Sequence, residues 1–249
     1  MVKVSLLAVS EPLHGARDPR RLVELAVKTS AGRVREKGWL HYFLAERDDT
    51  QLNEWLLKAA EIFPSVLEHI SLTFMIEDIS RVTSHQLVRH RIASYTQESL
   101  RYSVLANPND VVRDGEFVVE CVNTIDEKKH EECWNKAIDV LRKYFILPNG
   151  FENYTTAVEL LGHSLIEYAV AMAIYGKSPE DARYVLPMAV KTRIMMTVNL
   201  RELLHIGCMR LSEHAQAEIR EVTKKMFDEV EGKLSIPIWE MKEKFCRGE

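Results

Sequence analysis

The chain has 249 residues, 46% of them hydrophobic and 28% charged, with a formal net charge of −4 at pH 7. This is the composition of a globular protein large enough for one sizeable domain or two small ones. The acidic balance argues against general nucleic-acid binding, which calls for a basic face, and neither a membrane-spanning apolar run nor a basic-then-apolar leader at Met1 is found.

Val2 to Val9 reads as a short apolar strand. Asp18-Pro19 opens a helix, with Asp18 as N-cap and Pro19 at the first helical position, and Gly32 lies near its end. Asp49 or Thr50 caps a second helix through Phe63, and Pro64 stops it. Ile70, Leu72, Phe74 and Ile76 alternate with polar or exposed partners, the period of a half-buried strand. A helix follows from about Ile79 to Val88, with Ile79, Val82 and Val88 as its buried side. Between Val111 and Val122, Asp114-Gly115 among β-formers signals a hairpin.

Residues 126–145 and 152–175 read as helices. The second is apolar nearly all round, as suits a central helix or an oligomer contact. Ser178-Pro179 starts a helix that runs to Leu186. Arg193 to Val198 reads as a strand, and Asn199-Leu200-Arg201-Glu202 opens a short helix ending at Gly207. Ser212 caps the last long helix, whose core stripe is Ile219, Val222, Met226 and Val230. The four cysteines, Cys121, Cys133, Cys208 and Cys246, contain no C-x-x-C pair and read as reduced thiols of a cytoplasmic protein. With no repeat, low-complexity linker or evident boundary, the expectation is one α+β domain, 1–249.

Polar recognition groups concentrate in residues 86–103. Arg89, His90, Arg91 and Arg101 surround Ser94, Thr96, Gln97 and Ser99. Arginine suits phosphate because its planar guanidinium offers paired N–H donors and stays charged. Gln86 and Arg89, at i and i+3, share a helix face. Gln97, Ser99 and Arg101 alternate, so in an extended segment they point one way. A basic helix end answering the helix dipole explains a single arginine; four cationic candidates among hydroxyls favour an anionic ligand.

A second polar set follows. Arg201 and His205 lie at i and i+4, Asn199 stands at a helix start that favours anions, and Arg183 and Arg210 flank them. A partly buried Arg210 needs an anionic partner. The chain lacks a phosphate-binding G-x-x-x-x-G-K-[ST] loop, a G-x-G-x-x-G turn, a G-x-S-x-G elbow and any metal-ligand spacing. Ser99 without a base is a weak nucleophile. Cys208, read as following a helix C-terminus, lacks the positive field a thiolate needs.

These residues resemble the flavin-dependent thymidylate synthases, whose signature is R-H-R followed after seven residues by Ser. Here it stands as Arg89-His90-Arg91 and Ser99, continued by Arg101-Tyr102-Ser103. Further matches are Ser65 with Glu68-His69, Arg183 before Val185-Leu186-Pro187, Thr197-Val198-Asn199 with Arg201, and Arg210 before His214-Ala215-Gln216. Together they cover most of Ser65 to Gln216.

The resemblance implies helices around a central antiparallel sheet, a homotetramer with sites at subunit interfaces, and non-covalent FAD. It implies synthesis of dTMP from dUMP, with methylenetetrahydrofolate as carbon donor, reduced FAD as hydride donor and NADPH as reductant, releasing tetrahydrofolate. By motif, dUMP contacts fall on Gln86, Leu87, Val88, Arg89, Gln97, Glu98, Ser99, Leu100, Arg101, Arg183 and Arg210. Flavin contacts fall on Ser65, Arg89, His90, Arg91, Gln97, Asn199, Leu200, Arg201 and His205. Arg210 is the catalytic arginine, placed to polarise the uracil ring; no metal, nucleic acid or membrane enters. The chain departs from the pattern at Ile62-Phe63, where many members carry Gly-His, and at His205, where an amide side chain is common.

Overall fold

The computed structural model describes residues 2–248. In chain order its elements are β1 (Lys3–Val9), α1 (Arg20–Ser30), α2 (Val34–Lys37), α3 (Trp39–Phe43), α4 (Asp49–Ile62), β2 (Ser71–Ser80), α5 (Arg81–Leu87), β3 (Ala93–Gln97), α6 (Pro108–Val122), α7 (Glu127–Tyr144), α8 (Thr155–Ala173), α9 (Pro179–Ala182), β4 (Lys191–Asn199), α10 (Leu200–Arg210), α11 (Ala217–Leu234) and α12 (Ile238–Gly248). The four strands form one sheet in the order β1-β2-β4-β3, with β1 antiparallel to β2 and Val4 opposite Ile76. This is the expected α+β class.

Two compact units form from interleaved segments. The first holds residues up to Glu77, His85–Thr96 and those from Ile194 on; the second holds Asp78–Ser84 and Gln97–Arg193. The first carries most of the sheet. Leu72, Phe74 and Ile76 alternate into its core and are fully buried, as the period of two predicts. Ile194, Met196 and Val198 do the same on β4. Helix α11 packs on β1 and buries Ile219, Val222, Met226 and Val230, the predicted stripe. Helix α10 packs on α11 and α12.

The second unit is built on α6, α7 and α8. Val111, Val118, Leu141, Val158, Leu165 and Tyr168 form its core. The expected hairpin over Val111–Val122 is instead part of helix α6, with Asn107 as cap and Pro108 in the first turn. Gly115 is a packing residue, not a turn residue. A Cβ there would meet the Gly162 carbonyl and Ile166 at 2.8 Å, so α6 and α8 approach across two glycines. Helix α8 is less uniformly buried than its composition predicts: Leu161, Leu165 and Ala169 point inward, while Leu160 is exposed.

Other boundaries shift. The strand expected to end near Ile76 continues to Ser80, so α5 is only seven residues long. Val82 and Val88 are exposed; Thr83, Ser84 and Leu87 take the buried side beside Ile79. Asp48, with Gln51, forms the capping box of α4. Asp18 binds the Arg20 backbone N–H and guanidinium just before α1, whose N-cap position is Pro19. Helix α10 runs past Gly207 to Arg210, because Gly207 opens space for Phe227: a Cβ would lie 2.4 Å from that ring. Ser212 accepts from the His214 N–H; it lies four positions before Gln216, which holds the N-cap position of the helix Ser212 was expected to cap.

The cysteines are paired, not free. Cys121 on α6 bonds Cys133 on α7, and Cys208 on α10 bonds Cys246 on α12. Spacing along the chain leaves three pairings open for four cysteines; the helix packing selects this one.

Candidate active site

In the first unit the Arg-His-Arg segment is the turn between α5 and β3. The Tyr95 hydroxyl, on β3, lies 2.7 Å from the Leu87 carbonyl and 2.9 Å from the His90 carbonyl, and donates to them. The His90 N–H donates back to the Leu87 carbonyl at 3.0 Å. These bonds pin the turn and send consecutive residues opposite ways. His90 is 5% exposed, whereas Arg89 and Arg91 are exposed. Neither Arg89 nor Arg91 makes an ion pair among the described residues.

His90 is held from both ring nitrogens. The Arg210 Nε–H donates to its Nε2 at 3.1 Å, and its Nδ1 lies 3.5 Å from the Glu202 carboxylate, which is 7% exposed. The His205 ring stands edge-on with centroids 6.2 Å apart. Burial, then Arg210 and His205, lowers the His90 pKa to about 4. Glu202 pulls the other way, but at 3.5 Å it is beyond an ideal charge-assisted contact. His90 is therefore a neutral imidazole with its proton on Nδ1 and its lone pair on the Arg210 side. Burial, then Glu202, raises the Tyr95 pKa, so its hydroxyl stays a donor.

Helix α10 supplies the rest of this cluster. Asn199 caps it by accepting from the Glu202 N–H at 2.8 Å. Arg201 and His205 follow one turn apart, as expected, with Arg201 bonded to Glu68 at 2.6 Å. Leu200 is buried and its N–H donates to the Ile70 carbonyl at 2.9 Å, so it anchors the helix start. Ser65 is exposed in the 3₁₀ turn Pro64–His69. Gln86 donates to Gln216 at 3.3 Å. Phe63, at the position where a histidine is common, is 42% exposed and lines an apolar cavity of about 260 Å³ with Trp55 and Ile62.

The second unit holds the other predicted residues. The Gln97 amide donates to Ser84 at 2.9 Å and Thr192 at 3.2 Å, which fixes its orientation. The expected alternation of Gln97, Ser99 and Arg101 fails, because β3 ends at Gln97. Ser99 instead opens a turn: its carbonyl accepts from the Tyr102 and Ser103 N–H groups, and its hydroxyl from the Arg101 N–H at 3.2 Å. The Glu98 N–H is taken by the Arg193 carbonyl. Leu100 is buried and anchors the turn. Arg101 pairs with Glu180 at 2.9 Å, and the Arg183 Nε–H donates to the Glu180 carbonyl at 3.1 Å.

Sequence reasoning missed Arg81. It donates to the Glu98 carbonyl at 3.0 Å, and burial, then Arg183, lowers its pKa. A guanidinium whose charge is disfavoured by burial and by a like charge favours an anion nearby. Glu202 and Tyr95 were also missed. Glu202 was legible only as a capping residue, and Tyr95 sat unremarked among the hydroxyls of the signature segment.

The residues of the first unit fit an anionic cofactor. Arg89 and Arg91 are exposed cations without acidic partners, and Arg201 adds a third cation in the first turn of α10. No group of three or more His, Cys, Asp or Glu able to hold a metal ion occurs among the described residues.

Comparison with known proteins adds to this geometry. Residues 13–234 match the family model described as "Thymidylate synthase complementing protein". The chain is 36% identical over 231 residues to the flavin-dependent thymidylate synthase of Saccharolobus solfataricus, covering 92% of this chain and 73% of that protein. It is 38% identical over 230 residues to that of Sulfolobus acidocaldarius, covering 92% and 72%. With the Thermococcus onnurineus protein of the same name it shares 44% over 167 residues, 67% of this chain and 56% of the relative. Among solved structures, thymidylate synthase X from Helicobacter pylori with FAD and dUMP superposes with a TM-score of 0.68 at 19% identity, covering 98% of this chain and 99% of that one. The UMP/dUMP methylase PolB from Streptomyces cacaoi bound with 5-Br dUMP gives 0.62 at 20% identity, covering 99% and 95%. At these identities the structures speak to the fold.

Proposed function

From the premise that the chain belongs to the flavin-dependent thymidylate synthase family, we propose that it converts dUMP to dTMP. Methylenetetrahydrofolate donates the carbon and leaves as tetrahydrofolate. NADPH is the reductant. FAD, bound without a covalent link, supplies the hydride that completes the methyl group. The carrying observation is the Arg-His-Arg turn: a buried neutral histidine on Arg210, between two exposed arginines with no acidic partner.

The chain's own residues divide the work. Arg89, Arg91 and Arg201 neutralise the flavin's anionic groups, with Ser65, His90, Gln97, Asn199, Leu200 and His205 beside them. Arg101 and Arg183 serve the dUMP phosphate, with Gln86, Leu87, Val88, Arg89 and the Glu98–Arg101 turn completing the nucleotide contacts. Arg210 commits Nε to His90, which leaves its Nη groups for the uracil ring, where a fixed positive charge favours ionisation of the base. Cys208 is bonded to Cys246 and supplies no thiolate, so activation of dUMP falls to Arg210.

The whole chain acts as one catalytic domain, assembled as a homotetramer. A cytoplasmic location belongs to the same reading; intracellular proteins of hyperthermophilic archaea are rich in disulfides, so paired cysteines are compatible with it. No described helix is long and apolar enough to cross a membrane.

The test is turnover. Protein loaded with FAD and given dUMP, methylenetetrahydrofolate and NADPH is expected to form dTMP and tetrahydrofolate in equal amounts. A yellow protein that oxidises NADPH but forms no dTMP would point to a flavoprotein without folate chemistry, a role consistent with Phe63.

A further inference from the structure

We propose that Glu202 and His90 are positioning residues for Arg210, a buried relay that fixes where the guanidinium points. The inference rests on the reading of Arg210 as the residue that polarises uracil, and it assigns His90 a role beyond flavin contact.

Three observations carry it. First, the contacts run in one line: the Glu202 carboxylate at 3.5 Å from His90 Nδ1, then His90 Nε2 at 3.1 Å from Arg210 Nε. Only the Nδ1–H tautomer satisfies both, since Nε2 must accept. Second, Glu202 and His90 are buried, at 7% and 5% exposure, so water does not compete for these contacts. Third, both ends of the relay are on α10, two turns apart, and the middle is on a turn pinned by Tyr95. An arginine near a helix end otherwise samples many rotamers. A bond at Nε fixes the guanidinium plane and leaves its Nη groups to donate elsewhere. The groups around His90 are Arg210, Glu202 and His205 from α10 and Tyr95 from β3; burial, Arg210 and His205 keep it neutral against the pull of Glu202.

Two measurements test this on the FAD-loaded enzyme. The first is ¹⁵N NMR of the His90 imidazole. The Nδ1–H tautomer is expected, and an Nε2–H tautomer overturns the relay whatever the activity. The second is kinetic. His90→Leu fills the buried site but accepts no hydrogen bond; about a tenfold or larger loss of kcat is expected, with KM for dUMP changed less than about threefold. In His90→Gln the amide oxygen can accept from Arg210 while the amide N–H faces Glu202, so most of kcat should return. Wild-type kcat in His90→Leu overturns the proposal, as does a His90→Gln enzyme as impaired as His90→Leu. Loss of FAD in both variants assigns His90 to flavin binding alone and also overturns it. Arg210→Ala separates the two readings: if it keeps turnover, Arg210 does not polarise the base, and the tautomer still decides whether the relay exists.

Discussion

His90 shows how one residue's surroundings decide its chemistry. Between two arginines in sequence it reads as part of a basic segment, yet folding buries it and turns both flanking arginines outward. Its pKa falls from 6.5 to about 4. A histidine with a depressed folded pKa binds fewer protons in the native than in the unfolded state, so its stabilisation is complete above about pH 6.5 and lost as pH falls through about 4. The shift corresponds to roughly 3 kcal/mol. Denaturant titrations at pH 7 and pH 4.5 should show most of that difference, and His90→Gln should flatten it; an unchanged pH profile in the variant would remove His90 as the source. Arg101 gives a second residue-scale prediction. It pairs with Glu180 across a half-exposed contact, so dUMP phosphate must compete for it. Arg101→Ala should weaken dUMP binding about tenfold or more while leaving FAD affinity within about twofold, and Arg101→Lys should recover only part, because an ammonium cannot make the paired contact. Isothermal titration with each ligand reads this directly.

At the scale of elements, two glycines mark where local signals and packing disagree. Asp114-Gly115 has the chemistry of a tight turn, but the apolar residues around it also fit a helix face, and the approach of α8 at Gly162 settles the matter. Gly207 has the look of a helix stop, but α10 continues because Phe227 fills the space a side chain would need. Gly207→Ala should therefore destabilise, against the usual gain in helix propensity, by about 1–3 kcal/mol through overpacking. Thermal unfolding checks it: a raised Tm would show that Phe227 moves aside at no cost. Strand β3 is the reverse case. Its alternation is real up to Gln97, after which Ser99 turns the chain and its hydroxyl accepts from the Arg101 N–H.

For the whole molecule, each compact unit carries one disulfide, Cys121–Cys133 in the second and Cys208–Cys246 in the first. The loops they close span separations of 12 and 38 residues, worth roughly 3 and 4 kcal/mol on loop entropy alone. The second ties α12 to the helix that Asn199 caps and that carries Arg201, His205 and Arg210. Cys208→Ala should lower Tm by several degrees yet keep most dTMP synthesis at a temperature where the variant is folded. Turnover lost in a folded, FAD-loaded Cys208→Ala enzyme would give that sulfur a part in the chemistry.

The sequence alone determined the class, strands β1, β2 and β4 and the long helices other than α6 and α12, because apolar periods of 2 and 3.6 are local and the buried faces of β2 and α11 follow them residue by residue. It also determined the family, since Arg89-His90-Arg91 and its satellites keep fixed spacing. What only the tertiary structure decided depends on partners far along the chain. Arg210 meets His90 across 120 residues, Cys208 meets Cys246, and Gly115 is helical because of Gly162 and Ile166. No window of sequence contains both members of such a pair, and burial, which sets the charge on His90, is a property of the packed chain and not of the residue.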